Sequence, residues 1–316
     1  MDGGTQAQGV RETVEVAKAA ERLGYRRFWV AEHHSIKHLS SPAPEILIAA
    51  LTQVTSRIRL GSGGVMLPNY SPLKVAEVFM ELEALAPGRI DLGLGRAAGT
   101  DPVTASALRR SDDPEVNRVL AELIAFERGE FPPSHPFSKI EPMPSDMSAL
   151  SLWMLGSTLA GASIAAQLGV PYAFAGHFAM GHAFDAIEHY KRTYEPSPQH
   201  PTPYAMLAVT CVCAESDELA QRISAPIRVA VVKNRTGRRA PIVSIADALA
   251  YEFSTDEQAI ADDFFKGAVI GDPPNVARRL GELAHEMHAD ELMLSTLVPD
   301  LASRAKSLEL VAKAIA

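Results

Sequence analysis

Cysteine is nearly absent from this chain: 316 residues contain two, Cys211 and Cys213. That scarcity excludes a disulfide framework and leaves iron–sulfur and tetrapyrrole centres without their thiolate ligands. The two alternate within an apolar strand pattern, where residues two apart share a face but match disulfide geometry poorly. They are expected as reduced core thiols. Positive charge is also in short supply, with 30 lysines and arginines against 38 aspartates and glutamates, a net charge of −8. The longest basic clusters are pairs, Arg109-Arg110 and Arg238-Arg239. A polyanion gains no electrostatic help from such a surface, so no nucleic-acid partner is expected. No apolar run approaches the roughly 18 residues of a membrane span. The opening Met1-Asp2-Gly3-Gly4-Thr5-Gln6 has neither the basic nor the apolar part of a leader. The expectation is a soluble, cytoplasmic protein without a membrane partner.

Several catalytic signatures are missing too. His33, His34 and His38 match no zinc-ligand spacing and have no Cys or Asp/Glu cluster beside them. There is no serine nucleophile elbow and no paired-carboxylate motif. Gly61-Ser62-Gly63-Gly64 has neither the Gly-x-Gly-x-x-Gly spacing nor the Lys-Ser/Thr of a phosphate loop.

What the chain does have is a repeated alternation. Phe28-Trp29-Val30-Ala31, Ile58-Arg59-Leu60-Gly61-Ser62 and Ile90-Asp91-Leu92-Gly93-Leu94 are short apolar runs ending in glycine or ionisable residues, with helical patterns between them. Helices are expected over 10–23, from Pro44 to about Val54, and from Pro72 to Leu85, with the prolines at tolerated first-turn positions. Three consecutive β/α units make a parallel sheet, which aims its C-terminal strand ends at one face. Further strands are expected near 152, 171, 204 and 291, making seven. Helices are expected at 114–128, 159–168, 180–194, 273–288 and 301–316, with more between 214 and 267. Residues 97–150 are rich in proline and otherwise irregular, which suits a lid. The basic turn Lys233 to Arg239 reads as a mobile segment at about 230–240. With 47% hydrophobic residues the chain can bury a large core, and one domain over 1–316 is expected.

Chemistry belongs at the strand ends. Strand geometry lets only one of His33 and His34 face the mouth unless the chain bends, and that one would be an acid or base near neutral pH. Gly63-Gly64 lacks side chains where a backbone could lie against a flat ring. Gly95 does the same one strand over. Arg96 adds a permanent cation, either to clamp a phosphate or carboxylate or to pair with Asp91 or Asp101. Gly156-Ser157-Thr158 opens a helix and is either an anion site or ordinary capping.

Taken together, Trp29-Val30-Ala31-Glu32-His33-His34, the stretch from Thr55 to Asn69 with Gly61-Ser62-Gly63-Gly64-Val65, Pro87-Gly88-Arg89-Ile90-Asp91-Leu92-Gly93-Leu94-Gly95-Arg96, Trp153-Met154-Leu155-Gly156-Ser157 and Gly271-Asp272-Pro273 resemble the bacterial luciferase-like monooxygenases. The resemblance runs from about residue 10 to the end. It implies an α/β fold, a (β/α)8 TIM-type barrel whose first strand is missing from the N-terminus here. It also implies binding of reduced FMN, supplied by a separate flavin reductase, and use of O2 to oxygenate a small organic substrate such as an aldehyde. Carried over by position, His33 is the catalytic acid/base. Gly63 and Gly64 would share a non-prolyl cis peptide, with Gly64 and Val65 backbone against the isoalloxazine. Gly95 stands where the luciferases proper have a reactive cysteine. Arg96, Ser157 and Thr158, following Gly156, would hold the phosphate. A homodimer through the helices at 44–55 and 72–85 is implied as well. Two alternatives share the fold: a dehydrogenase dependent on the deazaflavin F420, and a flavin-binding protein without turnover. Gly161, where the family often has serine, and Gly176-His177-Phe178, where a double histidine is commoner, depart from the pattern.

Overall fold

Pro44 and Pro72 each supply a first helical turn that needs no N–H donor, and each begins a helix whose apolar stripe is buried. The computed structural model describes residues 5–36, 39–108, 116–238 and 241–316. His38, Arg109, Arg110, Pro114 and Arg239 lie outside the described residues. In chain order the elements are α1 (Gln6–Arg22), β1 (Arg27–Val30), α2 (Pro44–Thr52), β2 (Arg59–Ser62), β3 (Val65–Met66), α3 (Pro72–Leu85), β4 (Ile90–Gly95), α4 (Pro102–Ala107), α5 (Val116–Arg128), β5 (Ser151–Gly156), α6 (Leu159–Gln167), β6 (Tyr172–Phe174), α7 (Gly176–Ala179), α8 (Ala183–Arg192), β7 (Ala205–Cys213), α9 (Asp217–Arg235), α10 (Ile245–Leu249), α11 (Thr255–Phe265), β8 (Val269–Gly271), α12 (Pro273–Glu286), β9 (Glu291–Ser295) and α13 (Leu301–Ile315). The chain divides into two compact units. One comprises residues 25–36 and 40–155, the other residues 1–24, 37–39 and 156–316.

In the first unit β1, β2, β4 and β5 pair in parallel, and β3 adds to β4. Glycine is required where these strands meet. A Cβ on Gly93 would sit 2.0 Å from the Ser62 carbonyl oxygen, and one on Gly64 would sit 2.7 Å from that of Gly93. Besides this close carbonyl approach, the Ser62 hydroxyl donates to the Gly93 carbonyl (2.8 Å) and accepts from the Gly93 N–H (3.0 Å). At the N-terminal ends of the strands Asp91 is wholly buried and carries matched charge. Arg27 Nη1 donates to its Oδ2 at 2.7 Å, Trp29 Nε1 donates to the same oxygen at 3.0 Å, and Arg59 donates to Oδ1 from Nε (2.9 Å) and Nη2 (2.6 Å). The Arg27 guanidinium lies 4.7 Å from the Trp153 ring centroid.

Between β4 and β5 the order exceeds expectation. Asp101 caps α4, a helix the sequence pattern did not disclose, by accepting from the Val103 and Thr104 N–H groups. The proline-rich stretch after α5 packs its rings together. Phe131 lies 4.7 Å from Phe126, His135 stacks on Phe131 at 4.6 Å, and Phe137 lies 5.7 Å from Phe126.

In the second unit β7 is the central strand, nine residues long. It pairs in parallel with β6 and β9 over its first part and with β8 over its last three residues. The described strands thus number nine, not the seven expected; β3 and β8 are the two additional ones, at two and three residues. Among the described residues no strand precedes α1. The helix expected at 180–194 begins as a one-turn 3-10 helix at Met180–His182 and continues as α8, and the short α7 precedes it. Cys211 and Cys213 are free, buried thiols, and burial pushes their pKa values up to about 12 and about 11. The basic turn after α9 is anchored: Arg238 contacts Glu257, which also accepts from the Tyr251 hydroxyl at 3.0 Å.

Candidate active site

The candidate site residues of the first unit lie at or just beyond the ends of β1, β2 and β4 and around the short β3, where parallel strands present their chemistry. Past β1 the backbone bends away from strand geometry. The His33 N–H donates to the Ser41 carbonyl (2.9 Å) and the His34 N–H to that of Gly99 (3.3 Å). The Thr100 hydroxyl donates to the His34 carbonyl at 2.8 Å, and Ser35 follows at φ +56°. Both histidines are half-buried.

Glu32 is completely buried. Its Oε2 accepts the Met66 N–H at 2.9 Å; its Oε1 accepts Asn69 Nδ2 at 3.1 Å and lies 2.8 Å from His34 Nε2. Burial, followed by the charge of Glu32 and a hydrogen bond to it, drives the Tyr70 hydroxyl pKa far above its ordinary value, so that side chain remains a neutral donor. Sequence inspection passed over Glu32 in favour of the two histidines beside it. The available signal was an acidic residue directly after an apolar strand, a place where an unpartnered charge would be costly.

Gly63 and Gly64 are joined by a cis peptide, as the resemblance implied. The Gly63 N–H donates to the Val30 carbonyl (2.8 Å), and a Cβ there would lie 3.3 Å from Trp29. The absence of a side chain at Gly64 has a reason within the sheet, the approach to Gly93. Val65 pairs with Leu94. Above Gly95 lies the Met66 methyl, 2.8 Å from where a Cβ would be. Arg96 makes no pair with Asp91, whose oxygens are taken by Arg27, Trp29 and Arg59. Its Nε is buried without a hydrogen-bond partner among the described residues.

The second unit carries Gly156, Ser157 and Thr158. The Gly156 carbonyl accepts from the Ala175 N–H (2.8 Å), and the Thr158 carbonyl accepts from the Tyr172 hydroxyl (3.2 Å). Thr158 is the N-cap of α6, yet its side chain makes no capping bond, so the ordinary capping role is unfilled. Among the described residues no group of three or more His, Cys, Asp or Glu could hold a metal. No described helix is long and apolar enough to cross a membrane.

The model of one protein family, luciferase-like monooxygenase, matches residues 1–291. This chain belongs to the luciferase-like monooxygenase family. A protein of that name from Escherichia coli K12 is 36% identical over 98% of this chain and 92% of its own length. The N-acetyl-S-alkylcysteine monooxygenase of Bacillus subtilis is 32% identical over 99% of this chain and 95% of its own. The crystal structure of apo-MsnO8 superposes with a TM-score of 0.91 at 37% identity, covering 99% of this chain and 95% of that one. More distant structures share the fold. One is the oxygenating constituent of a Pseudomonas putida 3,6-diketocamphane monooxygenase in complex with FMN (TM-score 0.71, 20% identity, 98% of this chain and 93% of that one). Another is an F420-dependent secondary alcohol dehydrogenase (0.71, 15%, 96% and 94%). The fold class is therefore the α/β, TIM-type class of luciferase-like monooxygenases.

Proposed function

We propose that the protein is an FMN-dependent monooxygenase that takes reduced flavin from a separate reductase and oxygenates a small organic substrate with O2. The observation that carries this reading is the placement of His33, the cis Gly63-Gly64 bond, Val65, Gly95 and Arg96 at the same ends of adjacent strands in a luciferase-like monooxygenase. The donors present suit a flavin phosphate. Arg96 has a buried Nε without a partner among the described residues, and the Thr158 side chain is not used as a cap. An anion would satisfy the Arg96 guanidinium.

Reduced FMN supplies the activation of O2, chemistry that no side chain here offers. Gly64 and Val65 would set their backbone against the ring, with Gly95 leaving room beside it. Arg96 in the first unit, and Ser157 and Thr158 after Gly156 in the second, are each candidates for the phosphate by the family resemblance. His33 would exchange the proton that the reaction moves. Residues 97–150 would keep bulk water from the site, and the protein would act as a homodimer. The test is O2 uptake with chemically reduced FMN and a panel of aldehydes and thioethers, the latter because a 32% identical relative is named for an S-alkylcysteine substrate. Substrate-dependent product that falls by at least about a hundredfold in His33→Ala is expected. Parallel titrations with FMN and F420 must favour FMN. Preference for F420, or tight FMN binding with no product, overturns the proposal.

A further inference from the structure

Glu32 stands apart from the other buried carboxylates near β1. Four groups approach it: the Met66 N–H, the Asn69 amide, the Tyr70 hydroxyl and the His34 ring. Three are neutral donors whose charge is fixed under ordinary conditions. His34 alone among them has a second ring nitrogen, able to accept a hydrogen bond or a proton. An ionised carboxylate has no proton to give, so the nitrogen facing it must be the one that donates. That nitrogen is Nε2, at 2.8 Å. The opposite nitrogen, Nδ1, has no partner among the described residues, and 13% of the side chain is exposed.

We infer that Glu32 is a positioning residue that fixes the His34 ring as its Nε2–H tautomer, leaving the Nδ1 lone pair as a proton acceptor at the C-terminal end of β1. The pair forms a second proton-handling group beside His33. In the step it performs, a proton released during the reaction bonds to Nδ1, Nε2–H stays hydrogen-bonded to Glu32, and the carboxylate keeps its charge. The same arrangement fixes ring orientation in carboxylate–imidazole pairs generally. Glu32 also ties this ring to the sheet. Its second oxygen holds the N–H of Met66, so one side chain sets both the histidine and the strand that begins at Val65.

The proton-accepting role rests on the flavin-dependent reading; the tautomer does not, and it is tested on the protein without cofactor. With 15N-labelled histidine, the neutral His34 ring should show a protonated Nε2 and an unprotonated Nδ1. Asn69→Ala should retain that pattern, and Glu32→Ala should give a mixture of tautomers. A protonated Nδ1 in the unaltered protein, or one unchanged tautomer in a folded Glu32→Ala variant, overturns the assignment. Should Glu32→Ala not fold, the spectrum of the unaltered protein still decides. The second arm uses His34→Gln, which keeps a donor toward Glu32 and has no basic nitrogen. Turnover with reduced FMN should fall at least about tenfold with FMN affinity changed less than about twofold. Full turnover in His34→Gln ends the proton role while leaving the tautomer result standing. If the unaltered protein gives no turnover with FMN, the flavin reading falls and the tautomer measurement remains the judge of Glu32.

Discussion

Asp91 and Glu32 are both wholly buried carboxylates in the unit formed by residues 25–36 and 40–155, and their charges are met in opposite ways. Asp91, near the N-terminal end of β4, receives two guanidinium groups and an indole N–H. Its neighbourhood holds fixed positive charge at every accessible pH, which suits a part that only has to stay assembled. Glu32, beyond the C-terminal end of β1, receives an amide, a main-chain N–H, a hydroxyl and an imidazole. That set leaves one partner able to change its charge. In parallel sheets the N-terminal strand ends serve stability and the C-terminal ends serve chemistry, and these two carboxylates express the division in their choice of partners.

The sharpest way to break the comparison is to remove each acid. Asp91→Ala strands two arginines, one of them buried, and should cost on the order of 3–5 kcal/mol in denaturant unfolding. A loss below about 1 kcal/mol would show that the cluster is not the structural anchor described. Glu32→Ala should cost less stability, about 1–3 kcal/mol, because the donors it leaves are neutral. Its turnover should nevertheless fall at least about tenfold in the O2-uptake assay. Equal stability losses with unaffected turnover would erase the distinction. Arg96→Ala probes the same end of the sheet: FMN affinity, read by fluorescence quenching, should weaken about 10- to 100-fold while stability stays within about 0.5 kcal/mol. The smallest effect concerns two buried thiols. The Cys211 and Cys213 thiols, with pKa values raised to about 12 and about 11, remain protonated at pH 8. Alkylation of the native protein there should therefore be negligible and should become rapid on unfolding. Prompt labelling of the folded chain would contradict their burial.

Much of this was legible in the sequence. Seven of the nine described strands and the helices begun by Pro44 and Pro72 follow from apolar patterning and proline placement, and the cis bond between Gly63 and Gly64 from family resemblance. The parts that escaped are those whose causes lie far along the chain. Glu32 acquires its meaning from Met66, Asn69 and Tyr70, more than thirty residues away, and no local pattern announces them. Nothing near Gly93 in the sequence announces the Ser62 carbonyl that lies where its side chain would be. The pairing of Arg96 with Asp91, one of two alternatives left open by spacing, gave way because Arg27 and Arg59 had already claimed that acid. Two- and three-residue strands such as β3 and β8 are defined by neighbours alone.

The Ser62 hydroxyl bonds both the N–H and the C=O of residue 93, while the Ser62 main-chain carbonyl lies where a side chain at 93 would be. A side chain at 93 meets the main-chain carbonyl of residue 62, which no substitution at 62 removes, whereas loss of the Ser62 hydroxyl only takes a partner from the Gly93 backbone. Among descendants of a common ancestor, glycine at 93 should accordingly persist whatever residue stands at 62.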